Sequence, residues 1–169
     1  VYYDMHGFPE RLLWLWKKIL KNISGIITTN EWKIEQCHTR LGVPKNKMIV
    51  ARNGFDPILF LLKASPETAR KKLHIPSNRP IVLYTGHLYD WKGVYILAET
   101  ARSMPDVNFI FVGGTYYHRA DFEKRYNDVL NIILVGQKPY QEIPLYLKAA
   151  DILVLPNSAV SLNNPRFSV

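Results

Sequence analysis

The chain has 169 residues, 47% of them hydrophobic and 21% charged, a composition that suits a globular domain with its own core and excludes a disordered tail or a fibre. Its 22 Lys and Arg against 14 Asp and Glu leave a formal charge of +8, so an anionic partner is expected: a phosphorylated ligand, acidic lipid headgroups or nucleic acid. Cys37 is the one cysteine, which excludes an intramolecular disulfide and leans towards a reducing, cytoplasmic compartment.

In chain order, residues 1–5 and 25–29 suit strands, with a helix predicted between them from Glu10 to Asn22. A second helix is expected over Glu31–Leu41, started by the capping side chain of Asn30, and a further strand at Met48–Ala51. Ser65-Pro66 opens a helix that carries Pro in its first turn and runs through Leu73. From Pro80 onward short apolar runs alternate with helical patterns. Strands are predicted at Ile81–Thr85, Val107–Val112, Ile132–Val135 and Ile152–Leu155, and helices at Val94–Met104, Arg119–Val129 and Glu142–Ala150. Near-continuous apolar strands separated by helices imply a parallel sheet covered on both faces, joined by right-handed crossovers. The expected class is therefore α/β, a Rossmann-like parallel sheet with flanking helices, preceded by a partial α/β domain. The junction is placed within residues 55–64. No apolar run approaches the roughly 20 residues that span a bilayer. The opening at Val1 shows no secretory leader, and the chain is expected to be a piece of a longer protein.

The most informative stretch is Tyr84-Thr85-Gly86-His87-Leu88-Tyr89-Asp90-Trp91-Lys92-Gly93. A strand ends, Gly86 permits a turn, and Lys92-Gly93 is expected to open a helix. Ligands of open parallel sheets bind beyond the carboxyl ends of the strands, where a helix amino end favours a phosphate. Lysine at a helix start opposes the dipole, which hints at a compensating anion. The alternative is a solvated lysine beside an ordinary turn. Gly113-Gly114 would allow close approach of backbone to a ligand, or simply turn the chain.

Four segments carry a resemblance in order: Asn53-Gly54-Phe55-Asp56 with Phe60; Gly86 through Lys92-Gly93; Val112-Gly113-Gly114; and Ile132–Gly136 followed by Ile143–Leu147 and Ala150–Pro156. Together they resemble retaining glycosyltransferases of family four, which have the GT-B fold of two facing Rossmann-like domains. The resemblance implies a nucleotide-sugar donor, a saccharide or lipid-linked acceptor and a place in polysaccharide biosynthesis, with no nucleic acid. It implies that residues 1–60 are the remnant of the acceptor-side domain with its linker, and residues 61–169 the truncated donor domain. Lys92 would contact the donor diphosphate and stabilise the leaving group, so that no metal is needed; no DxD triplet occurs. Gly86, Gly93, Gly113 and Gly114 would line the diphosphate and nucleotide, and Lys138 would stand near the base, or else be an exposed lysine. His87 departs from the arginine common in the family, and is either a weaker phosphate ligand or a plain loop residue. His6 aligns with a family histidine near the reacting sugar, or caps a turn. The family's paired glutamates have no counterpart in residues 157–169, which contain no Glu. A non-catalytic nucleotide-binding module is the alternative function.

The stretch Arg11–Lys21 combines Trp, aliphatic and basic residues at helical spacing. Packing on its own sheet is the preferred reading, with peripheral contact at the inner face of a membrane as the second.

Overall fold

The computed structural model describes residues 1–76 and 78–157. Ser77 and the tail from Ser158, on which the reading of the absent glutamates falls, lie outside the described residues. Contacts divide the chain into two compact units, meeting in sequence at Phe55 and Asp56.

The first unit is β1 (Tyr2–Met5), α1 (Leu13–Lys21), β2 (Gly25–Thr28), α2 (Glu31–Leu41) and β3 (Met48–Val50). Its three strands are parallel in the order β1-β2-β3. Met5, Leu20, Ile26, Cys37, Leu41 and Met48 form the core. The Asn30 side chain accepts a hydrogen bond from the Lys33 N–H at 3.1 Å and caps α2 as expected. Helix α1 starts at Leu13 and not at Glu10. No side chain caps it, Leu12 enters with a left-handed φ of 53°, and Glu10 is turned towards Arg40 at 3.8 Å. Its sheet-facing side is only Leu13, Trp16 and Leu20; Leu12, Trp14, Leu15 and Ile19 are exposed. The preferred packing reading therefore holds for one stripe of this helix and fails for the rest.

The second unit comprises α3 (Pro57–Phe60), α4 (Pro66–Lys72), β4 (Ile81–Thr85), α5 (Val94–Ser103), β5 (Asn108–Val112), α6 (Tyr116–Tyr126), β6 (Ile132–Gly136), α7 (Ile143–Ala149) and β7 (Ile152–Leu153). All four strands are parallel, in the order β6-β5-β4-β7. Alternation along β4 and β5 builds the two layers that the apolar runs imply. Val82, Tyr84, Phe109 and Phe111 pack on α5 and α6 with Leu97 and Phe122, while Ile81, Leu83, Ile110 and Val112 pack on Tyr146 of α7. This is the expected Rossmann-like α/β sheet. Its centre is buried on both faces; its edge strand β7 leaves Ile152 and Leu153 more than half exposed and is shorter than predicted.

Polar clamps hold the strand ends. Asp151 accepts from the Ile81 N–H at 2.7 Å and from Arg70 at 2.7 Å, tying α4, β4 and β7 together. Those bonds, the Ile81 amide first, lower the Asp151 pKa below the usual carboxylate range. Buried Asn131 donates from its amide nitrogen towards the carbonyls of Ala101, Met104 and Val107 at 2.8–2.9 Å, closing the carboxyl end of α5. Helix α6 begins three residues before its predicted start, because Tyr116 and Tyr117 are exposed and add nothing to an apolar stripe. Among the described residues no helix is long and apolar enough to cross a membrane.

Candidate functional site

The chain winds from β4 through β5 to β6 in one direction, then returns to place β7 on the other flank of β4. That reversal makes the carboxyl ends of β4 and β7 a topological switch point, where open α/β sheets form a ligand crevice. Two neighbouring features converge on this rim.

On the β5–β6 side, Gly86, His87, Gly113, Gly114, Gln137 and Lys138 border an open pocket of about 280 Å³. The rim is stitched by backbone: the Gly86 N–H donates to the Val112 carbonyl at 2.9 Å and the Gly113 N–H to the Gly136 carbonyl at 2.8 Å. Gly113 has φ +123°, and a Cβ there would lie 2.2 Å from the Gly86 oxygen. Only glycine fits where the exits of β4 and β5 come this close. The buried Tyr84 hydroxyl donates to the His87 carbonyl at 2.7 Å and fixes the turn from beneath, and burial pushes its pKa up to about 12.

On the β7 side stand Lys92 and Gly93, which are not part of the pocket lining. The sequence placed Lys92-Gly93 at the start of a helix. Lys92 instead ends a 3-10 turn, Asp90–Lys92, and Gly93 follows at φ +71° before α5 begins at Val94. The cause is tertiary: Gly93 is pressed under the chain leaving β7, where a Cβ would meet the Pro156 carbonyl oxygen at 2.2 Å. Lys92 is thereby held beside the β4–β7 crevice. Between pocket and crevice the loop is stiffened by stacked rings. His87 lies on Tyr89 at 4.9 Å, Tyr89 on Trp91 at 6.0 Å, and the Lys92 ammonium is 4.4 Å from the Trp91 ring centre.

The site's electrostatics separate its cations. Lys138 has Glu142 at 4.0 Å. Among the described residues no carboxylate pairs with Lys92, so its charge is offset only by a ring face. Arg119 is a residue that motif reading missed. Its Nη2 donates to Glu123 at 3.3 Å, its Nη1 would lie 2.6 Å from a Cβ on Gly136, and its Nε is buried without a partner. Only its place in the first turn of α6 after Gly113-Gly114 could have signalled it. His6 belongs to the first unit, exposed after β1 with its Nε2 3.4 Å from the Asp4 carboxylate.

Fold and rim thus define a nucleotide-type α/β domain with a phosphate-sized, cation-flanked crevice at its switch point. Residues 65–159 match the family profile Glycosyl transferases group 1, and the chain belongs to that family. It is 29% identical over 154 residues to a processive diacylglycerol alpha-glucosyltransferase of Acholeplasma laidlawii, covering 83% of this chain and 44% of that protein. It is 31% identical over 124 residues to the amylovoran biosynthesis glycosyltransferase AmsK of Erwinia amylovora, covering 69% and 28%. In structure it is similar to Anabaena Alr3699/HepE, solved in complex with UDP, at a TM-score of 0.72 and 22% identity over 94% of this chain and 47% of that one. The chain therefore spans less than half the length of these relatives.

Proposed function

We propose that the chain supplies the donor-binding half, and part of the acceptor-binding half, of a glycosyltransferase. It moves a sugar from a nucleotide-sugar donor to a saccharide or lipid-linked acceptor with retention of anomeric configuration. The observation that carries this reading is the Lys92 ammonium, without a carboxylate partner, beside the β4–β7 crevice. As the bond from the sugar's anomeric carbon to the phosphate oxygen breaks, its electron pair stays on the diphosphate. A fixed cation stabilises that developing charge more than it stabilises the bound donor. The glycine-lined pocket takes the nucleotide, with Gly86, Gly113 and Gly114 admitting it to backbone, Lys138 towards the base, and His87 donating one hydrogen bond to phosphate. His6 is assigned to the acceptor side, near the reacting sugar. Protein cations, and no metal ion, carry the charge. HepE was solved with UDP, and the named relatives act on a diacylglycerol or in amylovoran biosynthesis; these names support a UDP-type donor and a lipid or polysaccharide acceptor here. The place of work proposed is the cytoplasmic face of a membrane.

The test is transfer or hydrolysis of UDP- and GDP-sugars by the full protein and by Lys92→Ala. The variant is expected to lose about 10²–10³ in rate, and a chelator to change nothing. Full activity in Lys92→Ala removes Lys92 from the mechanism. Calorimetric binding of a nucleoside diphosphate with no transfer to any acceptor selects the non-catalytic module.

A further inference from the structure

We infer that the exposed side of α1 is a docking surface for an anionic phospholipid bilayer. Helix α1 carries no Asp or Glu, and its sequence Leu13–Lys21 divides by spacing into three stripes. Leu13, Trp16 and Leu20 face the core. Trp14, Lys17, Lys18 and Lys21 occupy positions i, i+3, i+4 and i+7, which one helix face presents together; all four are exposed. Leu12, Leu15 and Ile19 form a third stripe, also exposed. A helix that only packed on its sheet would not need a tryptophan at 61% exposure ringed by lysines.

The basic face continues off the helix. Lys17, Lys21 and Lys47 border a hollow of about 390 Å³ whose floor includes Leu20, Leu41 and Val43. None of these three lysines has a carboxylate partner among the described residues, whereas neighbouring Lys45 is paired with Glu35. Cations around an apolar floor suit a lipid phosphate with its glycerol and upper acyl carbons. Trp14, with the Lys18 ammonium 5.7 Å from its ring centre, suits the headgroup layer, where amphipathic rings settle. Charge complementarity thus selects an acidic lipid surface as the occupant. The chain's +8 excess strengthens the attraction at long range.

The test is co-flotation of the full chain with phosphatidylcholine vesicles, with and without phosphatidylglycerol, in the absence of any sugar nucleotide. A result here is therefore independent of the transfer assay. Binding is expected only with phosphatidylglycerol and is expected to vanish near 1 M salt, where charges are screened within about 3 Å. Replacing Lys17, Lys18 and Lys21 together by Gln should weaken binding roughly a hundredfold, at about fivefold per basic residue near an anionic surface. Trp14→Ser should weaken it and abolish the vesicle-induced blue shift of emission, with circular dichroism unchanged in both variants because these side chains are exposed. Binding indifferent to phosphatidylglycerol or to the three lysines overturns the inference, as does absence of binding at low salt. A dimer in sedimentation that Trp14→Ser dissolves would also overturn it, assigning the surface to a second copy of the chain.

Discussion

Gly113→Ala tests the closeness of the β4 and β5 exits on which the pocket depends. At φ +123° an alanine is strained, and its Cβ would sit 2.2 Å from the Gly86 oxygen and 3.0 Å from the Gly86 carbonyl carbon. Those atoms are backbone, so relief requires the two strand exits to part. That stretches the bonds from Gly86 N–H to Val112, 2.9 Å, and from Gly113 N–H to Gly136, 2.8 Å. A disfavoured φ costs about 1–3 kcal/mol, overpacking about 1–3 kcal/mol, and the stiffer unfolded chain returns about 0.4–1 kcal/mol. The net loss is about 3 kcal/mol, which lowers the melting temperature of a unit this size by more than about 10 °C. Gly136→Ala is the internal control. Its φ is +82°, but its close neighbour is the guanidinium of Arg119, 2.6 Å away at the end of a flexible side chain. Only the left-handed backbone penalty remains, about 1–2 kcal/mol. Urea denaturation followed by circular dichroism, with amide exchange read on β4 and β5, measures both. If Gly113→Ala loses no more than Gly136→Ala, the exits are not in the contact described and the pocket rim is wrong.

Tyr84→Phe removes the hydroxyl that holds His87 and should cost about 0.5–1.5 kcal/mol at neutral pH. The folded phenol titrates at about 12 against about 10 when unfolded. A raised acid favours the folded state while it is protonated, so this contribution is complete below the unfolded pKa and is lost as pH rises through the folded one. Denaturation across that alkaline window should show a flatter decline for Tyr84→Phe than for the parent; parallel curves refute the role of burial. Asn131→Ala leaves three carbonyls without their shared donor and should cost about 2–3 kcal/mol in the same urea titration. Asn131→Asp should lose more at neutral pH and regain part on acidification, when a protonated carboxyl can donate again.

The central strands β4 and β5 were legible because burial on both faces writes itself as an unbroken apolar run. Asn30, Pro66 and Pro144 marked helix starts because caps and first-turn prolines act within a few residues. Edges were less legible. Ile152–Leu155 has the same apolar texture as β4, yet only two residues pair and they lie at the margin of the sheet; texture does not encode which neighbours exist. The apolar residues of α1 likewise showed amphipathicity without showing how much of it the sheet would cover. In the site, residue types around Gly86 and Gly113-Gly114 pointed to the rim. That Gly93 lies beneath the Pro156 carbonyl could not be read, since it follows from β7 returning to the far flank of β4. Arg119 gave no motif signal because its position near Gly136 arises from packing of α6 on the sheet.

The geometry also ranks the cations that sequence left unordered. Three lie near the rim: Lys138, Arg119 and Lys92. Lys138 is drawn to Glu142 at 4.0 Å and Arg119 to Glu123 at 3.3 Å, so a phosphate approaching either must compete with a carboxylate already in place. Lys92 has a tryptophan face instead, an interaction worth about 0.5–1 kcal/mol at an exposed site. An arriving dianion offers a larger electrostatic gain without displacing an anion. The His87 ring, stacked on Tyr89 at 4.9 Å, is held in place but carries full charge only when protonated. Where the family commonly has two permanent cations on this loop, the present chain has one, and its charge is the one left free to act.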